Sequence, residues 1–529
     1  AAALFALASE EPFRINPRTQ VSAMLWGALA EQREGFMDAA KQHLVAARRF
    51  AWAIPDPSLR ATAVHDLTFA EASVLRQENP ARAAAILDRY LVTSGQRGRT
   101  FLLADACLER ARAARSMGAV REAERFYRQA LANVAERRQD SLAVGIAEAY
   151  FATATKATSE LADILESGGR TNDAFGVLET GRGNEMARLE TIRETLRDSA
   201  RLVSYLLLDD RLVIFTVGRG DGPQTTRVAV GANEVRRTID DFRAAIERRD
   251  DTAAGVIAEQ LHGWLIAPLA GELAGADTLI VVPDLAMDSL PFGALREPHG
   301  GSWLIDRFAI VRAPSAMAFV RSARQAATTD GGLMIYGNPA FVRTRFASLQ
   351  PLPGAEREAR EVAGFYRGAA AVVGAPATAS RFLHELPSAR MIHLGAHAIA
   401  SRHEPMRSML LLAPDEAVPS GIVYASDVAG SICRAQVVVL AGCRTAAPAE
   451  SPANIRSLGL AFLAAGARNV VGTLWNVDDG DAEAFSQRLH PALIAGVPPA
   501  EAVRRVQREL LRTRSLRAWS AFTLTGSGL

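Results

Sequence analysis

Cysteine is nearly absent from this 529-residue chain: Cys107, Cys433 and Cys443 are all it has. An odd number of well-separated cysteines, with no Cys-x-x-Cys, argues against a disulfide framework or a structural zinc site. The expectation is a reducing, cytoplasmic setting, with no metal and no cofactor. Lysine is almost missing as well. Lys41 and Lys156 are the only two, so arginine supplies nearly all of the 60 basic residues. Set against 58 acidic residues, these leave a formal charge of +2, so no global field draws the chain to nucleic acid or to a membrane surface. No apolar run reaches the roughly 20 residues of a membrane span. Residues 1–8 are apolar but short, follow no basic region, and are not read as a signal peptide. Aromatic residues make up only 6% while alanine is abundant, which favours closely packed helices over an all-β chain.

What is present is enough apolar residue, 49%, to fill two or three cores over this length. The first 195 or so residues read as helices with a loose repeat. Gly35 precedes Ala40, Leu44 and Ala47; Gly118 precedes Ala123, Tyr127 and Ala130; Gly169 precedes Ala174 and Leu178. Asn79, ahead of Ala84 and Leu87, reads as a degenerate copy. Each copy sets a turn residue before a helix whose small residues admit a neighbour and whose large ones fill the gap. The pattern resembles the second half of a tetratricopeptide repeat, although the spacings of 44, 39 and 51 residues exceed the usual length of about 34. A concave surface built from such repeats suits a protein substrate or activator.

Near residue 200 the pattern changes. Residues 201–208 and 212–217 flank Asp209-Asp210 as a hairpin. Short apolar strands then alternate with helices: strands at 278–282, 333–336, 391–394, 436–440 and 469–474, helices at 354–366, 377–386, 455–466, 480–495 and 499–512. This alternation predicts a mostly parallel sheet covered on both faces. The polar stretch 323–331 reads as a linker, giving expected regions 1–195, 196–325 and 326–529.

In such a sheet, reactive groups gather beyond the carboxyl ends of strands. Strand 391–394 runs into Gly395-Ala396-His397, and strand 436–440 into Ala441-Gly442-Cys443. Strand 469–474 runs into Trp475-Asn476-Val477-Asp478-Asp479. As parallel neighbours, the first two would bring an imidazole to a thiol that is only a few per cent thiolate near neutral pH. The backbone N–H groups of Ala398 and Cys443 are candidates for the oxyanion site. His393 lies inside its strand and reads as a packing residue bonded to backbone. Cys107 and Cys433 read as structural, His403 as solvated, and Glu356 and Glu358 as the opening of a helix.

Three segments carry a resemblance: Ile392-His-Leu-Gly-Ala-His-Ala, Val437-Val-Val-Leu-Ala-Gly-Cys-Arg-Thr-Ala, and the run from Leu458 through Gly472-Thr-Leu-Trp-Asn-Val-Asp-Asp. They resemble the CHAT domain of the caspase/separase group, which often follows tetratricopeptide-like helices. His397 precedes Cys443 by 46 positions, against about 50 in the caspase pattern; Ala398 stands where those enzymes usually have glycine. The resemblance implies a caspase-like three-layer α/β domain and a cysteine endopeptidase with His397 and Cys443 catalytic. It implies a regulated bacterial protease of defence or cell death, and a substrate cleft walled by Gly442, Trp475, Asn476, Asp478 and Asp479. The upstream region, with Asp284 and Asp288, would be a degenerate structural half. In separase-like relatives an acidic residue here holds a basic side chain, so Asp478 or Asp479 would select cleavage after Arg or Lys. The plainer reading of the two acids is as caps of the next helix. The alternative for the whole chain is a non-catalytic scaffold that binds partners through its repeats.

Overall fold

The computed structural model describes residues 16–96, 102–137, 144–183, 185–220, 222–326, 331–399, 401, 404–440 and 453–529. The chain forms two compact units, Ala1–Val177 and Leu178–Leu529.

The first unit is a run of helices. Pro17–Glu34 packs on Met37–Trp52 and also on Pro57–Leu75, and Leu103–Ser116 packs on Val120–Arg137 and also on Val144–Ser167. Each such helix thus meets its hairpin partner and the first helix of the next pair, the contact rule of a repeat solenoid. Gly35, Gly118 and Gly169 all take left-handed φ values, 88°, 73° and 75°. A left-handed residue after a helix lets the chain reverse, and glycine does so without a Cβ clash. Asn79 differs: its side-chain oxygen accepts the Arg82 N–H at 2.9 Å and so caps the helix that follows. Ala40, Leu44 and Ala47 are buried, as are Ala84 and Leu87, Ala123, Tyr127 and Ala130, and Ala174. Arginine forks cross between helices. Arg112 donates to both oxygens of Glu160 at 3.0 Å and to Glu109 at 2.6 Å, while Arg76 donates to Glu109 at 2.8 Å. A planar guanidinium can grip one carboxylate with a fork of donors and still reach a second, a geometry that the compact ammonium of lysine does not offer.

The second unit is built on strands β1 (Ala200–Leu207), β2 (Leu212–Val217), β3 (Gln224–Val228), β4 (Thr278–Val282), β5 (Ala309–Arg312), β6 (Gly332–Pro339) and β7 (Val372–Gly374). They continue with β8 (Ala389–Gly395), β9 (His397–Ile399), β10 (Met409–Leu411), β11 (Ile422–Tyr424), β12 (Val437–Val439), β13 (Asn469–Thr473) and β14 (Phe522–Gly526). Eleven of them form one sheet in the order β3-β2-β1-β4-β5-β14-β13-β12-β8-β6-β7, and β11-β10-β9 form a small second sheet. Pairing is antiparallel at β1–β2, β2–β3 and β13–β14, and parallel elsewhere in the large sheet. Strands from residues 196–325 and from 326–529 therefore share one sheet, and β14 joins them.

Both faces of the sheet are covered, as its all-apolar strands predict. Ile392, Leu394 and Val438 pack with Phe382, Phe462 and Leu458 on one face. Ile335 and Met391 pack with Ala359 and Val362 of the Pro353–Phe365 helix on the other. That helix comes very close. A Cβ at Gly337 would lie 2.6 Å from the Ala359 Cβ, and one at Gly395 would lie 2.8 Å from the Ala355 Cβ. Glu179, although in the last repeat helix (Thr171–Gly183), is tied into this unit: it accepts from the Ser204 hydroxyl and the Ala316 N–H, both at 2.6 Å.

Candidate functional site

β12 lies directly beside β8, parallel, with Val439 opposite His393. His397 and Cys443 each follow those paired positions by four residues, so the 46-residue separation is the register offset of two neighbouring strands. Cys443 and Gly442 themselves lie outside the described residues, as does His403.

His397 sits just past the carboxyl end of β8, where the chain leaves the large sheet. It opens β9 and stands opposite Leu411 of β10. The imidazole is buried, and its Nε2 is 2.7 Å from the Gln350 carbonyl oxygen. A carbonyl only accepts, so Nε2 carries the proton in the neutral ring and Nδ1 carries the lone pair. The Phe341 ring meets the imidazole edge to face at 5.1 Å. Phe341 and Gln350 both belong to the loop between β6 and the Pro353–Phe365 helix. Neither was legible in sequence, since any residue type can offer a backbone carbonyl. Ala398 follows in β9, buried, opposite Leu410.

The segment after β13 is held by Arg517. The Trp475 indole is largely buried and donates to the Arg517 carbonyl at 3.0 Å, and the Asn476 carbonyl accepts from the Arg517 guanidinium at 2.8 Å. Asp478 is 60% exposed and pairs with Arg249 at 3.0 Å and Arg517 at 3.8 Å. Asp479 opens the Asp479–Ile494 helix and is turned onto Gly354 instead: a Cβ there would lie 2.3 Å from its Oδ2. Only glycine admits that carboxylate to the first turn of the Pro353–Phe365 helix, where helix N–H groups favour negative charge. The two acids thus face different surroundings.

Beneath the sheet edge runs a buried polar chain. Ser486 donates to Glu358 at 2.5 Å, and Glu358 lies 3.5 Å from His393 Nε2. His393 Nδ1 meets His490 Nε2 at 3.1 Å, and His490 Nδ1 meets the Tyr366 hydroxyl at 2.9 Å. His393 therefore bonds to a side chain, and the expectation of a backbone partner is corrected. Burial pushes the Glu358 carboxyl up to about 7 and the His393 imidazole down to about 4. His490 is held well below its ordinary value by the same cause, with His393 adding to it. Burial also pushes the Cys107 thiol up to about 12 and the Cys433 thiol to about 11, so both are inert protonated thiols, as their structural reading expects. Among the described residues no cluster of three metal-ligating side chains occurs, and no helix is long and apolar enough to cross a membrane.

Helical repeats ahead of a mostly parallel, doubly covered sheet with a histidine past a central strand make a separase-like fold. The CHAT domain model matches residues 256–527, and the chain belongs to the CHAT domain family. Among curated proteins it is similar to Tetratricopeptide repeat protein 28 of Mus musculus and of Homo sapiens, at 22% identity to each over 54% of this chain. The chain covers 14% of the length of either. Among solved structures it is similar in fold to the Saccharomyces cerevisiae separase–securin complex. The TM-score is 0.55 at 11% identity, over 99% of this chain and 48% of that one.

Proposed function

We propose that the protein is a cysteine endopeptidase, with Cys443 as nucleophile and His397 Nδ1 as its base. The observation that carries this reading is the anchoring of His397 Nε2 on the Gln350 carbonyl, which sets the ring's lone pair on Nδ1, the nitrogen a base would use. The adjacency of β8 and β12 supports it, because both strands lead to the same sheet edge. In the reaction, Nδ1 takes the thiol proton and the thiolate sulfur attacks the scissile carbonyl. The imidazolium returns the proton to the leaving amine, and water then hydrolyses the thioester. Backbone N–H groups of Ala398 and Cys443 would bind the oxyanion.

For specificity we assign a basic residue before the cut, bound by Asp478. Arg249 and Arg517 already pair with this carboxylate, and an exposed pair of this kind is worth only about 0–1 kcal/mol, so a substrate guanidinium can displace Arg249 at little cost. The repeats would bring a protein substrate or regulator, and a thiol nucleophile suits the cytoplasm. No cofactor enters the chemistry.

The test is cleavage of candidate protein substrates by wild type and by Cys443→Ala, with Asp478→Asn to read specificity. Cleavage lost in Cys443→Ala, and an Arg or Lys preference lost in Asp478→Asn, are the expected results. Equal cleavage by wild type and Cys443→Ala would refute the assignment. A second reading, a scaffold without activity, draws on the curated relatives, whose name describes repeats alone. Alkylation separates the two: a catalytic Cys443 labels with iodoacetamide far faster than the buried Cys107 and Cys433, and a scaffold's does not.

A further inference from the structure

The Gln350 carbonyl can hold His397 only if its own loop is held, and residues 340–352 contain no helix or strand. One side chain bridges that loop. Asn338, near the end of β6, has φ 50°, one of three non-glycine residues with left-handed backbone among those described. The β6–β7 register shifts between Gly337 and Pro339, so Asn338 is the bulged residue, released from the ladder. Its Oδ1 accepts the Leu352 N–H at 2.7 Å, and its Nδ2 donates to the Glu356 carboxylate at 3.2 Å. Leu352 is the capping position of the Pro353–Phe365 helix and offers no capping side chain of its own. Asn338 thus joins the end of β6 to the start of that helix, two residues from Gln350.

We propose that Asn338 is a positioning residue of the Cys443–His397 machinery: its amide pins Leu352, so that the Gln350 carbonyl stays on His397 Nε2 and the lone pair stays on Nδ1. Asparagine suits the post because it tolerates the left-handed backbone and offers an acceptor and a donor together. This inference rests on the reading of His397 as the base.

Three variants test it. Asn338→Gly keeps the backbone conformation and removes both bonds. Asn338→Asp keeps the acceptor for Leu352 but sets a second carboxylate against Glu356. Asn338→Asp/Glu356→Gln restores a bond of the same geometry with donor and acceptor exchanged, at the loss of the Arg360–Glu356 ion pair (2.9 Å, on the helix surface). The readouts are the pH profile of Cys443 alkylation, kcat and KM for peptide cleavage, and the ¹⁵N shifts of His397, which report its tautomer. The two single variants should lower kcat by on the order of tenfold or more, with KM within about twofold, and should mix the His397 tautomers. The double variant should recover most of the loss.

If Asn338 only caps the helix, thermal stability falls while the alkylation profile and the His397 shifts stay as in wild type; that result overturns the proposal. Should Asn338→Gly fail to fold, Asn338→Asp against the double variant decides, and no recovery counts against it. The underlying reading fails separately, and visibly, when wild-type Cys443 alkylates no faster than Cys107 and Cys433.

Discussion

The buried chain behind His397 makes Glu358→Gln an informative substitution. Gln is nearly isosteric and can still accept from Ser486, so what changes is the titration. Glu358 has a folded value of about 7, above its ordinary 4.5. A raised acid contributes stability that is full below 4.5 and is lost as pH rises through 7. The shift corresponds to about 3 kcal/mol lost between pH 4.5 and pH 8. His393 works in the opposite direction. Its folded value is depressed to about 4, so its contribution is full above 6.5 and is lost as pH falls toward 4. Between these limits the folded pair keeps its proton on Glu358 and the unfolded pair keeps it on histidine. The two slopes cancel in wild type, and removing Glu358 exposes that of His393. His490, also held neutral by burial, acts alike in both proteins and drops out of the difference.

The assay is urea unfolding from pH 4.5 to 8, read by hydrogen exchange within Ala389–Gly395 and Pro353–Phe365, so that the α/β unit reports on itself. The stability of Glu358→Gln relative to wild type should rise by about 3 kcal/mol across that range. A difference that stays flat with pH would refute the assignment of the proton to Glu358.

Three further substitutions have defined outcomes. Gly354→Ala sets a Cβ against the Asp479 carboxylate; it should cost about 1–3 kcal/mol in the α/β unit by urea unfolding, and Asp479→Gly on the same background should recover part of it. Gly118→Ala forces a side chain into a left-handed turn with open space around it; about 1 kcal/mol of repeat stability should be lost in thermal melts, through backbone alone. Arg112→Lys gives up the forked contact to Glu160 and leaves one ammonium to divide between Glu109 and Glu160; a loss of about 1–3 kcal/mol is expected, largest at low salt in calorimetry.

Much of the architecture was legible because it rests on local signals. Glycine turns and small-large helical spacing marked the repeats, and short apolar runs marked β4, β6, β8, β12 and β13. What was not legible lacks such signals. β3 is polar and partly exposed, β9, β10 and β11 have three residues each, and β14 alternates threonine with apolar residues although it lies inside the sheet. At the site, strand ends pointed to His397. The Gln350 carbonyl left no trace in the residue types, and the Glu358–His393–His490 chain assembles residues up to 132 positions apart. Only the crossing of a strand and two helices brings them together. Asn338 did carry a hint, an Asn-Pro pair closing an apolar strand, the usual mark of a turn.

The place of β14 bears on how the protein is made. Every path of strand pairing from β5 to β13 passes through it, and it follows all other strands in the chain. While the ribosome is still working, β5 and β13 are therefore open edges, able to pair with the wrong strand or with another nascent chain. The sheet closes only when residues 522–526 emerge. A chain cut short before them would carry His397 and Cys443 but two half-sheets instead of one, so the sheet beneath those residues is whole only once β14 is in place.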